Sequence, residues 1–115
     1  MRVTSDLFVS ALLRRLFSEG GFGAVVRRGA AEAGAVFVVV RDRMGGAHLF
    51  GPAPQTAYGD AAVTGRQFSE LGAEMGEEAL EARLAREARF DPDIWVVDVE
   101  PGSTPVAELL EITKP

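Results

Sequence analysis

The chain contains no cysteine, and its 115 residues include one histidine, one tryptophan and one tyrosine. The missing cysteines exclude a disulfide framework, thiolate catalysis, iron–sulfur ligation and every cysteine-type zinc site. A lone His48 excludes metal motifs that need two histidines, and any serine triad would depend on that single ring. There is no Gly-x-x-x-x-Gly-Lys loop and no Gly-x-Ser-x-Gly elbow. Gly21-Phe22-Gly23 begins like a dinucleotide fingerprint, but Val26 stands where the third glycine belongs. That string also follows a helix and opens a strand, the reverse of what pyrophosphate binding needs. No cofactor and no metal are expected.

Long apolar runs are missing too. The longest, Ala33 to Val40, has eight residues, against the roughly 20 that cross a bilayer. The start carries Arg2 and then Asp6, and the apolar stretch from Leu7 is broken by Arg14-Arg15 with no small-residue cleavage site after it. These features lead to the expectation of a cytoplasmic protein that does not contact membranes.

What is present describes an ordinary globular chain, 47% hydrophobic and 25% charged. The length fits one domain over residues 1–115, large enough to bury roughly two-thirds of its extended-chain surface without a staple. The net charge of −5 is unevenly spread. Residues 1–45 carry seven arginines against four acids, and residues 46–115 carry five basic groups against thirteen acids. An acidic total argues against general nucleic-acid binding. Eleven of the twelve basic residues are arginine, whose planar fork suits carboxylate or phosphate.

The hydrophobic spacing predicts a helix over 6–19, capped by Ser5 or Asp6. Phe8, Leu12 and Leu16 form one row of it and Val9, Leu13 and Phe17 the next. Residues 23–28 read as a short strand and residues 35–40 as the clearest one. In the latter Val36, Val38 and Val40 face one side and Phe37 and Val39 the other. Met44-Gly45-Gly46 turns into a strand over 47–50, and a weaker strand is suggested over 66–71. Residues 77–90 form a second helix with Leu80, Leu84 and Ala88 on its buried stripe and charges ordered to suit its dipole. Pro92 stops it. Ile94 to Val99 is the last firm strand, with Trp95, Val97 and Val99 on one face. The segment 104–112 reads equally as a short helix or a return strand.

An α+β fold follows: an antiparallel sheet of four to five strands, with two main helices packed on one face. Such a sheet leaves one side of the strand at 35–40 uncovered, and either the tail or a second subunit would cover it, the second subunit being favoured. A homodimer is therefore expected.

Two places invite a ligand. Residues 51–65 make a long connection stiffened by Pro52 and Pro54. Pairing residue 43 with 47, and 28 with 35, places Arg27 and Arg28 at the same sheet end as Gln55 and Tyr58. These four residues are the candidate contacts for an anionic or polar group. The same arithmetic puts Arg14 and Arg15 near Arg41, Arg43 and His48 at the other end. Asp91-Pro92-Asp93 sets two carboxylates at a helix-to-strand corner. They read as turn caps, or as a weak acid–base pair.

Three strings, Gly34-Ala35-Val36-Phe37, Phe50-Gly51-Pro52-Ala53-Pro54-Gln55 and Phe90-Asp91-Pro92-Asp93-Ile94-Trp95, give the chain a resemblance to a family of small bacterial proteins of unknown function. The resemblance runs from about Val3 to Glu100 and implies no activity, ligand or catalytic residue. The function expected from the residues is a non-catalytic binding or protein-interaction module, its partner an unknown protein, a second copy or a small anionic ligand. The alternative is a small enzyme for an anionic metabolite, with Arg28 as anchor and Asp91 or Asp93 as acid–base.

Overall fold

The computed structural model describes residues 3–54 and 66–113. Helix α1 (Ser5–Ser18) leads into β1 (Phe22–Arg27), β2 (Val36–Arg41), β3 (Ala47–Pro52) and β4 (Gln67–Met75). Helix α2 (Glu77–Phe90), β5 (Trp95–Glu100), the one-turn α3 (Val106–Leu109) and β6 (Glu111–Ile112) complete the order. The α+β class stands, but the sheet differs from expectation. It has six strands in the order β1-β5-β2-β3-β4-β6, and it is mixed. β5 runs parallel to β2 and β6 parallel to β4, while the other neighbours are antiparallel.

The expected hairpin between residues 28 and 35 does not form, because β5 lies between β1 and β2. The reason is apolar coverage. β5 buries Trp95, Val97 and Val99 on one face and Val96 on the other, so a position at the sheet edge would waste that surface. β1 takes the edge, where Gly23 is its only buried residue and Phe22, Val25 and Val26 stay exposed.

The two main helices lie on opposite faces, not on one. Val9, Leu12 and Leu16 of α1 pack on Val36, Val38, Val40, Trp95, Val97 and Val99. Leu80 of α2, with Leu84 and Ala88 beside it, packs on Phe37, Val39, Ala47, Leu49 and Val96. Both sides of β2 are thus covered within one chain, and the face that suggested a second subunit is occupied by α2. Each large apolar side chain so enclosed contributes about 1.5–3 kcal/mol.

The crossing from β1 to β2 fixes the entry of α1. Thr4 is the N-cap, its hydroxyl accepting from the Leu7 amide at 3.2 Å. Ser5, expected as a cap, is instead fully buried and donates to the Gly34 carbonyl. The amides of Ser5 and Asp6, which a free helix start would leave to solvent, donate to the carbonyls of Glu32 and Ala31. Ala30 closes the knot, since its amide donates to the Asp93 carbonyl and its own carbonyl accepts from the buried Trp95 ring at 2.8 Å. Gly29 and Gly34 permit this approach: a Cβ on either would stand 2.2 or 2.3 Å from the Asp93 carbonyl oxygen. The segment after β5 resolves into both alternatives, a turn of helix and then a short strand.

Gly34→Ala should therefore destabilise the fold by about 1–3 kcal/mol, as overpacking does in a filled interior. The check is urea unfolding, with a lower midpoint at unchanged slope.

Candidate functional site

Arg27 ends β1 and Arg28 follows it, at the same sheet end as Pro52, which keeps part of the expected geometry, but β5 and β2 separate them from β3. Arg27 donates to the Pro92 carbonyl at 2.9 Å. The Arg28 guanidinium lies 4.9 Å from the centre of the Trp95 ring and donates to Asp6 at 3.4 Å, with 67% of its side chain exposed. Gln55 and Tyr58 lie outside the described residues. Asp91 and Asp93 work together locally: the Asp91 carboxylate accepts from the Asp93 amide at 3.0 Å, a side-chain turn that settles the corner after α2.

The start of α1 lies at the same end and offers no free amides to an anion, since the loop at 31–32 and Thr4 take them. Arg66 reaches this end too, donating to the Ser5 hydroxyl at 2.9 Å and to the Val3 carbonyl at 3.2 Å, its guanidinium 5.6 Å from the Phe8 ring.

At the opposite end the expected arginine cluster divides. The β2–β3 register pairs Arg41, not Arg43, with Ala47, because Asp42 builds a longer turn. Its carboxylate accepts from the amides of Met44 and Gly46, and Gly45 takes a φ of 89°. Arg41 then shares the parity of Phe37 and Val39 and faces the α2 side. There it meets Glu77 with both outer nitrogens, at 3.0 and 3.1 Å, and Asp98 at 3.1 Å. Those partners raise its pKa and hold the Glu77 carboxyl below its ordinary range. Arg15 stays on the α1 side, with Glu19 and the Glu108 carbonyl.

His48 sits between two carboxylates. Nε2 faces Asp42 at 3.0 Å and Nδ1 faces Glu70 at 3.3 Å, so the two acids grip opposite edges of the ring and share no point at which one ion could meet all three. The Glu74 amide also points at Nδ1, at 3.4 Å, from a residue with φ of 49°. The hydrogen bond that the Asp42 carboxylate accepts from the ring, outweighing partial burial, raises the His48 pKa above its ordinary 6.5, and the same contact lowers that of Asp42. A shallow groove of about 350 Å³ lies between the end of β2 and residues 101–106, lined by Arg41, Asp42 and Arg43 among others. Arg41 is already committed there.

What sequence reasoning missed is an apolar surface. β1 is an edge strand, and Phe22 and Val26 are 57% and 61% exposed, with Val25 partly so. Phe17 of α1, expected in the core, is 53% exposed and meets Phe22 edge to face at 6.0 Å. The signal was available in residues 22–27, which contain no acid and only one charge.

Comparison with known proteins gives a coherent set. A family model described as a protein of unknown function (DUF1491) matches residues 3–106. A solution structure of a protein from A. tumefaciens is 44% identical, covering 100% of this chain and 98% of that one at a TM-score of 0.84. A crystal structure of a DUF1491 family protein from Caulobacter crescentus CB15 is 40% identical, covering 87% of each chain at 0.71. An NMR structure of a DUF1491 family protein from the same organism is 36% identical, covering 100% and 98% at 0.77. Among the curated proteins there is no match.

The His48 contacts carry a pH dependence of stability. A raised folded-state pKa gives stabilisation that is complete below the ordinary value of 6.5 and is lost as the pH rises through the folded value. His48→Gln should therefore lose stability relative to wild type in mildly acidic solution and converge on it once the pH has risen past the folded-state value. Urea midpoints for both chains across that range test this, and parallel curves would contradict it.

Proposed function

We propose that this chain, which belongs to the DUF1491 family, is a non-catalytic protein-interaction module whose docking surface is the open edge of β1. One observation carries this: the edge strand presents Phe22, Val25 and Val26 to solvent, and Phe17 extends the apolar strip onto α1. An edge strand offers unpaired backbone donors and acceptors, and protein chains ordinarily blunt such edges with charge, proline or brevity. Pairing an added strand there would give affinity through the backbone and specificity through alternate side chains.

The charged groups support the same reading by their commitments. Arg41 is bound to Glu77 and Asp98, His48 to Asp42 and Glu70, and the Asp91 carboxylate to the Asp93 amide. These contacts are what a structural role requires of them.

A second reading concerns Arg28. Its guanidinium lies over Trp95 with a single long ion pair to Asp6, so a small carboxylate or phosphate could replace Asp6 without disturbing the core.

A photoreactive residue at position 26 of the full chain, expressed in its native cells, should give a discrete adduct that the same residue at position 86, on the exposed side of α2, does not. Equal labelling from both positions, or none from either, would overturn the interaction reading. For the second reading, inorganic phosphate should alter the emission of Trp95, the sole tryptophan, in wild type and leave Arg28→Ala unchanged.

A further inference from the structure

We infer that the partner received at the β1 edge is a second copy of this chain, paired antiparallel through β1 about a two-fold axis at Ala24. This rests on the proposed interaction role of that edge and adds to it the partner and the register.

The two edges of the sheet are built differently. The far edge combines β6, two residues long, with a β4 that carries Glu70 and Glu74 and departs from regular register twice against β3. Shortness, irregularity and acid all discourage an added strand. At the β1 edge, Phe22 to Val25 pair regularly with Glu100 to Val97, and the only irregularity lies beyond them, between Val25 and Arg27.

Side-chain parity selects the register. Gly23 and Val25 pair with Val99 and Val97 on the α1 side, while Ala24 and Arg27 pair with Asp98 and Val96 on the α2 side; Phe22, first in the strand and paired with Glu100, turns its ring to Phe17 of α1. Residues directly opposite in an antiparallel pair share a face. Self-pairing must therefore be centred on a residue, and Ala24 is the central one of the regular segment. The two small Ala24 side chains then meet on the axis. Gly23 lies opposite Val25 of the other copy, and Phe22 lies opposite the Val26–Arg27 irregularity.

Charge agrees with this orientation. Arg27 makes no ion pair among the described residues, donating to the neutral Pro92 carbonyl, and Glu100 is exposed and likewise makes none. They mark opposite ends of β1. Antiparallel self-pairing brings Arg27 of each copy to the level of Phe22 and onto the face of Glu100 of the other, where it can approach the carboxylate. A parallel arrangement would set like charges together. α2 lies over β2, β3 and β5 and contributes nothing to cover β1, so the approach on that face is open.

The test is sedimentation equilibrium of the full chain up to about 1 mM. Wild type should show a monomer–dimer equilibrium, and Ala24→Lys should raise the dissociation constant at least about tenfold by placing two ammonium groups on the axis. Ala24 is exposed, so thermal unfolding of that variant at concentrations where both chains are monomeric should match wild type and exclude a folding defect. Arg27→Glu should weaken association about tenfold, and adding Glu100→Arg should restore it to within about threefold, which a structural role for either residue would not produce. A monomer at all concentrations, a dimer indifferent to Ala24→Lys, or failure of the charge exchange to rescue would each overturn the inference. An adduct from position 26 with twice the chain mass supports it. An adduct with a different protein overturns self-pairing and leaves the interaction role standing, whereas no adduct removes both.

Discussion

The whole arrangement depends on β5 entering the sheet between β1 and β2. For that to happen the chain must leave β1, pass over the start of β5 and return as β2 within the eight residues from Arg28 to Ala35. The passage is close enough that Gly29 and Gly34 press against the backbone of Asp93. The same short segment supplies the carbonyls that receive the first amides of α1 and the Trp95 ring. One knot therefore sets the position of the first helix, the depth of the central strand and the spacing of two neighbours. Its polar groups pair with each other inside the fold, where leaving them unpaired would cost about 1–3 kcal/mol each.

Once β5 is central, both faces of the sheet are apolar and each requires a helix. α1 covers one and α2 the other, and the covering also distributes the charges. Arg41 falls on the α2 side because its parity follows Phe37 and Val39, and there it finds Glu77 in the first turn of α2. His48, one strand over, has the opposite parity and finds Glu70. Part of the basic excess of the N-terminal part and the acidic excess of the remainder thus meet where Arg41 pairs with Glu77 and Asp98.

How much of this was legible in the residues can be stated element by element. Period and alternation located α1, α2, β1, β2, β3 and β5 to within two residues, because each is a local pattern, whereas β4 runs four residues past the weak strand expected over 66–71. The two-sided character of β2 was legible from Val36 to Val40, and so was the single face shared by Trp95, Val97 and Val99. Pairing was not, since nothing local in Arg27-Arg28 tells which strand lies beside it. Assuming a hairpin with β2 put both helices on one face, left the other bare, and so suggested a second subunit in the wrong place. The Asp42 turn shows the same limit on a smaller scale: two extra residues shift the register from Arg43 to Arg41. Of the candidate site residues, a cap at Asp91 or Asp93 was legible from the turn but not which of the two, and it is Asp91 that accepts the Asp93 amide, while the stacking of Arg28 on Trp95 required knowing that β5 is adjacent to β1.

The exposed edge is a consequence of that same insertion. Had β1 paired with β2 it would have lain beneath α1 and α2 together, and Phe22 and Val26 would have had neighbours on both sides. Displaced by a strand that needs burial more, β1 keeps the cover of α1 through Gly23, where Leu13 and Leu16 approach, and has none from α2. Apolar residues are retained on it, and Phe17 turns toward Phe22 instead of into the core. For the isolated chain this arrangement forfeits buried area, about 25 cal/mol for each Å² left in water. Pairing of a partner strand would recover that area, and this is the physical ground for the docking proposed at the β1 edge.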